Sequence, residues 1–228
     1  MTHITTADEL AGYIDLTLLK PQATVKDIEA LVSKAQKYPF ASVCIPPCHV
    51  ERAVEMLKGS HTKVGTVIGF PLGYQTTSVK LYEAREAVES GADEIDIVIN
   101  ISRFKSGELS MVQDEISEIV SALPKIVVKV IIETCYLTNE EKIKACELAI
   151  KSKADFVKTS TGFGPGGAIV DDVKLLLNTA QERIKVKASG GIKTLDGTLK
   201  MIDAGANRIG TSAGMEIVEE FLKNAKDK

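Results

Sequence analysis

Three lysines stand in otherwise apolar, β-rich runs: Val127-Val128-Lys129-Val130, Phe156-Val157-Lys158-Thr159 and Lys185-Val186-Lys187-Ala188. Successive lysines are 29 residues apart, the interval expected if one structural unit repeats and each lysine takes the same place in it. On neighbouring strands of a closed barrel they would reach similar heights in one cavity. The alternative is three lysines pointing outward under covering helices, which would bury ammonium groups without partners at high cost. Two lysines in one cavity have a definite chemical use. Partial desolvation and a nearby cation disfavour protonation, so an amine with an ordinary pKa of about 10.4 supplies free base to attack a carbonyl. Asp96, in Glu94-Ile95-Asp96-Ile97-Val98, has the inward phase of its strand, and Glu94 shares that phase nearer the strand start. Imine formation needs protons delivered to expel water, and enamine formation needs a proton removed beside the carbonyl carbon, so a carboxylate here suits the chemistry. A structural ion pair with a lysine is the other reading of Asp96.

Two later segments suit an anion: Ala188-Ser189-Gly190-Gly191-Ile192-Lys193-Thr194 and Ile209-Gly210-Thr211-Ser212-Ala213-Gly214. Each follows a strand and opens a helix, so backbone N–H groups, hydroxyls and helix N-termini can converge on a phosphate. Either could instead be a tight turn; together, after strands seven and eight, they favour phosphate. The run Gly162-Phe163-Gly164-Pro165-Gly166-Gly167 fits GxGxxG by letter. A dinucleotide site also wants an acid ending the next strand, where this chain has Lys187. Asp15 and Thr17 share one face of a short strand and could bind substrate hydroxyls, although Asp at a strand end also serves as a turn or cap residue. Cys44 is either a small buried hydrophobe or a cavity-lining thiol.

The elements that must position these groups alternate along the chain. Strands are predicted over 14–18, 42–45, 64–70, 94–99, 126–132, 155–159, 184–188 and 208–210, separated by stretches of helical periodicity, which is the pattern of βαβ units. Val25, Ile28, Leu31, Val32 and Ala35 share one helical face, as do Val112, Ile116, Ile119, Val120 and Leu123 before Pro124. Thr138 and Glu141 form a capping-box pair ahead of the helix carrying Ile143, Cys146 and Ile150. A weak repeat, Gly91-Ala92-Asp93, Lys153-Ala154-Asp155 and Gly205-Ala206-Asn207, marks three helix-to-strand junctions. The 228 residues leave about 28 per unit, which fits an α/β fold consisting of a single (β/α)8 TIM barrel with a short extra N-terminal helix, over residues 1–228 as one domain. A doubly wound open sheet uses the same alternation; polar residues at the ends of many strands favour closure.

Composition narrows the partners. Hydrophobic residues make up 44% and charged residues 26%, with a net charge of −3 and no charge blocks. Nucleic-acid and membrane-surface binding are therefore not expected, and a small phosphorylated molecule is the expected partner. No apolar run is long enough to span a membrane and residues 1–9 lack signal-peptide character, so the expected location is cytoplasmic. Cys44, Cys48, Cys135 and Cys146 form no CxxC or paired zinc pattern, and the three histidines, His3, His49 and His61, form no HExxH cluster. No metal and no cofactor are expected.

The chain resembles the deoxyribose-phosphate aldolases over nearly its whole length. Five stretches carry the resemblance: Ile14-Asp15-Leu16-Thr17-Leu18-Leu19-Lys20-Pro21, Val43-Cys44-Ile45-Pro46, Glu94-Ile95-Asp96, Phe156-Val157-Lys158-Thr159-Ser160-Thr161-Gly162 and Lys187-Ala188-Ser189-Gly190-Gly191-Ile192. The resemblance implies that Lys158 forms a Schiff base, that Lys187 lowers its pKa and that Asp96 relays protons through a bound water. It implies Asp15, Thr17, Cys44, Lys129 and Thr161 around the substrate, and Gly162, Gly190, Gly191, Gly210 and Ser212 around the phosphate. It further implies reversible cleavage of 2-deoxy-D-ribose 5-phosphate to acetaldehyde and D-glyceraldehyde 3-phosphate, by a homodimer. Leu16 stands where many members have histidine, Phe163 where some have lysine, and the sequence ends Lys226-Asp227-Lys228 where some end in tyrosine. Competing readings are another lysine-dependent barrel aldolase or a transaldolase, or a non-catalytic sugar-phosphate sensor.

Overall fold

The computed structural model describes residues 4–226. Eight parallel strands close into a barrel in sequence order: β1 Ile14–Thr17, β2 Ser42–Cys44, β3 Lys63–Ile68, β4 Glu94–Val98, β5 Val127–Ile131, β6 Phe156–Lys158, β7 Lys185–Ser189 and β8 Arg208–Thr211. Each lies within two residues of its predicted position, and β1 pairs with β8, which excludes the open sheet. The expected extra N-terminal helix is α1 Ala7–Gly12. The outer layer consists of α2 Val25–Ala35, α3 Val50–Met56, α4 Thr77–Glu89, α5 Ile101–Lys105, α6 Leu109–Ala122, α7 Asn139–Lys151, α8 Val170–Ala180, α9 Leu195–Asp203 and α10 Gly214–Lys226. The short α5, which sequence periodicity did not mark, is N-capped by Asn100, whose side chain accepts from Arg103 N–H. Among the described residues no helix is long and apolar enough to cross a membrane.

Side-chain alternation divides the strands into two environments. Outward residues such as Leu16, Val43, Ile95, Ile97, Val128, Val130, Val157, Val186 and Ile209 join the buried faces of the helices in one apolar cluster. In α2 that face is Ile28, Val32 and Ala35, while Val25 is exposed. In α7 the capping box of Thr138 and Glu141 forms as expected. The inward residues are different: Asp15, Ser42, Glu94, Asp96, Lys129, Lys158 and Lys187 are all buried, so most of the barrel's interior is polar. The main apolar stabilisation therefore comes from the layer between strands and helices, and the interior is left for chemistry.

The weak sequence repeat has a physical cause. Gly91, Lys153 and Gly205 each take positive φ at the end of a helix. Two residues later, Asp93, Asp155 and Asn207 use a side-chain oxygen to accept from the N–H of Val64, Val128 and Val186 at 2.9, 2.8 and 2.9 Å. Their own N–H groups donate to the carbonyls of the same three residues. One side chain thus fixes the register of each pair β3–β4, β5–β6 and β7–β8 at its lower end. In the first pair Ala41 occupies this place and only its N–H takes part, donating to the Ile14 carbonyl.

Asp155→Ala leaves the Val128 N–H without its side-chain acceptor and is expected to lower unfolding free energy by about 1–3 kcal/mol. Urea unfolding with an unchanged m-value checks this; an unchanged midpoint would mean the reciprocal pair does not hold the β5–β6 register.

Candidate active site

Strand pairing places the lysines. Lys158 of β6 and Lys187 of β7 are Cα partners, so they enter the barrel at one level on adjacent strands. Lys129 pairs with Phe156, two residues below Lys158. The expected common height therefore holds for two lysines and not the third, because the stagger of barrel strands steps the level as the register advances. Side-chain length compensates. Lys158 and Lys187 both donate to Asp96 Oδ2 at 2.7 Å, and Lys129 donates to Asp96 Oδ1 at 2.9 Å. Three amines converge on one carboxylate of β4, and none is more than 2% exposed.

The three amines differ in the number of carboxylates around them. Lys129 also meets Glu94 at 2.6 Å and Asp15 at 3.8 Å. Lys187 meets Asp15 at 2.5 Å. Lys158 has Asp96 alone and shares it. Burial opposes the charge of all three. For Lys129 and Lys187 the surrounding carboxylates outweigh it, and both are held above the ordinary lysine range. For Lys158 burial prevails over Asp96, with the Lys187 charge adding to the downward shift. Asp96 is itself opposed by burial but held well below the usual carboxylate range by Lys129, Lys158 and Lys187. Asp15 is likewise depressed, against burial, by Lys187, Lys129 and Arg208.

Above this charged layer lies an open cavity of about 340 Å³ lined by Thr17, Lys158, Thr161, Gly162, Gly190, Gly191, Gly210 and Ser212, with Lys20 and Lys193 also on its wall. Lys158 is the one member of the lysine cluster on that wall. Asp15 and Lys129, expected around the substrate, are placed lower, at 0% and 1% exposure, within the ion pairs that support Lys187 and Asp96. Thr17 reaches the wall, its hydroxyl donating to the Asp15 carbonyl at 2.9 Å. Cys44 is buried beside the cluster, and burial together with Asp96 pushes its thiol up to about 11, so it is a neutral neighbour. Thr161 is on the wall, but its hydroxyl and N–H both donate to Glu133. Gly210 has a steric reason to be glycine: a Cβ there would lie 3.1 Å from Lys187 Cε and 2.9 Å from Ser189 Cβ. Outside the strands and helices, the N–H groups of Gly162, Gly190, Gly191 and Ser212 have no backbone acceptor among the described residues.

Two site residues went unmarked in the sequence. Arg208, at the inward phase of β8, binds Asp15 at 2.6 Å and Glu94 at 3.4 Å; that phase was the available signal. Glu133 follows β5 in a turn, where no periodicity applies.

Fold and site together define a (β/α)8 barrel with a buried amine at the floor of an open cavity. Residues 10–220 match the DeoC/LacD family of aldolases. The chain is 58% identical to the deoxyribose-phosphate aldolase of Thermoanaerobacter sp. strain X514, over 94% of this chain and 97% of that protein. Among solved structures it superposes on QR15, an aldolase, with a TM-score of 0.92 and 49% identity, covering 95% and 97% of the two chains. The tetrameric deoxyribose phosphate aldolase of Aeropyrum pernix gives a TM-score of 0.90 at 34% identity, covering 96% and 93%. This chain belongs to the DeoC/LacD aldolase family.

Lys187→Met removes the cation that adds to the downward shift of Lys158. The rate at which Lys158 condenses with an aldehyde is expected to rise at higher pH in the variant than in the wild type, because free amine then forms later in the titration. Coincident profiles would remove Lys187 from the control of that amine.

Proposed function

We propose that this enzyme reversibly cleaves 2-deoxy-D-ribose 5-phosphate to acetaldehyde and D-glyceraldehyde 3-phosphate through a Schiff base on Lys158. The observation that carries the reading is that, of two lysines sharing one Asp96 oxygen, the one with the lowered pKa is also the one on the cavity wall.

The lone pair of Lys158 Nζ attacks C1 of the open-chain sugar, and as the nitrogen gives up one proton the carbonyl oxygen gains one, giving a neutral carbinolamine. A second proton expels that oxygen as water and leaves an iminium ion. Loss of the proton from the C3 hydroxyl then drives the C2–C3 electron pair into the iminium. Glyceraldehyde 3-phosphate departs with a new carbonyl, and the enamine of acetaldehyde stays on Lys158. Protonation at C2 and hydrolysis release acetaldehyde and restore the amine. Asp96 is the carboxylate in contact with Lys158 Nζ and the group we assign to proton traffic at that nitrogen, with Lys187 remaining a cation throughout. Asp15, Glu94, Lys129 and Arg208 hold Asp96 and Lys187 in place, Cys44 is buried beside them, and Thr17 completes the cavity wall.

The phosphate is assigned to the upper end of the cavity. Support comes from the N–H groups of Gly162, Gly190, Gly191 and Ser212, which have no backbone acceptor among the described residues, the start of α10 at Gly214 two residues after Ser212, and the presence of Lys20 and Lys193 on the same wall. A helix N-terminus and convergent backbone donors favour a dianion. The reading takes residues 1–228 as one catalytic domain acting without metal or cofactor, in the cytoplasm and as a homodimer.

Lys158→Leu is expected to abolish carbon–carbon cleavage while leaving the circular dichroism spectrum and unfolding transition of a folded barrel, since the other wall lysines, Lys20 and Lys193, are exposed and outside the Asp96 cluster. Coupled assay of released acetaldehyde and glyceraldehyde 3-phosphate measures this. Cleavage retained in the purified variant would refute the nucleophile assignment; wild-type turnover of some other ketose or aldose phosphate in its place would favour the transaldolase-like alternative.

A further inference from the structure

Glu133 is a buried carboxylate that the chemistry above leaves without a role. It lies two residues past the end of β5 and is 2% exposed. Its backbone is left-handed, with φ 52° and ψ 68°, a conformation that a residue with a long side chain keeps only where its surroundings hold it. The holding contacts are on either side: Ile132 N–H donates to the Lys158 carbonyl at 3.0 Å and Thr134 N–H donates to the Thr159 carbonyl at 2.9 Å. These two rungs carry the β5–β6 ladder past the strand ends, and the left-handed residue between them turns its side chain across β6.

The carboxylate meets the first turn of the glycine loop there. Both of its oxygens accept from Thr161 N–H at 3.2 Å, and Oε2 also accepts the Thr161 hydroxyl proton. Thr161 Oγ1 in turn accepts from Phe163 N–H at 3.0 Å. The N–H groups on either side of Gly162 are therefore turned into the protein. Gly162, at φ +84°, keeps the one N–H of the 161–163 turn with neither a backbone nor a side-chain acceptor among the described residues. A bare carboxylate so close to an anion site would repel its ligand; this one faces donors from Thr161 on both oxygens.

We propose that Glu133 is a positioning residue for phosphate recognition: through Thr161 it fixes which N–H of the β6 loop is presented to the ligand. It acts through Thr161 and has no part in the amine chemistry of Lys158. The inference rests on the reading that the upper cavity binds a phosphate.

The test compares wild type, Glu133→Ala and Glu133→Gln for cleavage of 2-deoxyribose 5-phosphate and of unphosphorylated 2-deoxyribose. The expected result is a fall of about tenfold in the ratio of the two kcat/KM values for the alanine variant, carried mainly by KM for the phosphorylated sugar. The glutamine variant keeps a carbonyl acceptor for Thr161 and is expected to recover part of the ratio. Inorganic phosphate, used as a probe by its protection against thermal unfolding, is expected to bind about tenfold more weakly to the alanine variant. An unchanged ratio in both variants, or equal losses on both sugars, would overturn the proposal. If the alanine variant does not fold, the ratio and the phosphate protection of the glutamine variant decide. Absence of sugar cleavage in the wild type would count against the aldolase reading alone, and phosphate protection would still decide the role of Glu133.

Discussion

One oxygen atom organises the site. Asp96 Oδ2 accepts from Lys158 and Lys187 at the same distance of 2.7 Å, in a barrel interior from which water is largely excluded. Charges so placed lose their hydration, and the cluster persists only because each is paired and the pairs are linked. The rest of the interior follows from that need. Asp15 and Glu94 supply further negative charge below, Arg208 ties those two together from β8, and Lys129 fills the space between them and Asp96. Gly210 is small because the Lys187 side chain passes there. An interior built this way contributes little through apolar packing, so the layer between the strands and helices supplies most of it.

The same arrangement explains how three buried lysines come to differ. Desolvation acts on all of them, and the count of adjacent carboxylates separates them: three for Lys129, two for Lys187, one for Lys158. The amine with the fewest counter-charges is the one that opens onto the cavity. The lowered pKa of Lys158 is a matter of unequal pairing within a shared network, in which burial and the neighbouring cation act in the same direction.

Much of this was legible in the chain itself. Strand phase put Asp96, Lys158 and Lys187 inside, because period-2 alternation leaves few options for a charged residue in a run of valines and isoleucines. The Gly-Ala-Asp repeat announced equivalent junctions, although the reciprocal register contact it makes requires two strands to be seen together. What could not be read is what depends on pairing across the barrel. Asp15 and Lys129 have the correct phase for substrate contact, yet stagger and depth place them beneath the cavity floor. Arg208 carried a phase signal of its own, but its partners Asp15 and Glu94 are 193 and 114 residues away. Thr161 read as a ligand-facing hydroxyl, and only the turn conformation of Glu133 shows where that hydroxyl is spent. The buried Lys80–Glu115 pair, which joins α4 to α6, escaped notice for the same reason: its helices meet only in the folded barrel.

The central claim is that unequal pairing selects Lys158 as the reactive amine. The most direct measurement is to incubate the protein with acetaldehyde, reduce with borohydride and map the modified residue by peptide mass spectrometry. The account predicts a two-carbon adduct confined to Lys158, with Lys129 and Lys187 unmodified. An adduct on Lys187, or one spread over surface lysines with Lys158 spared, would contradict it.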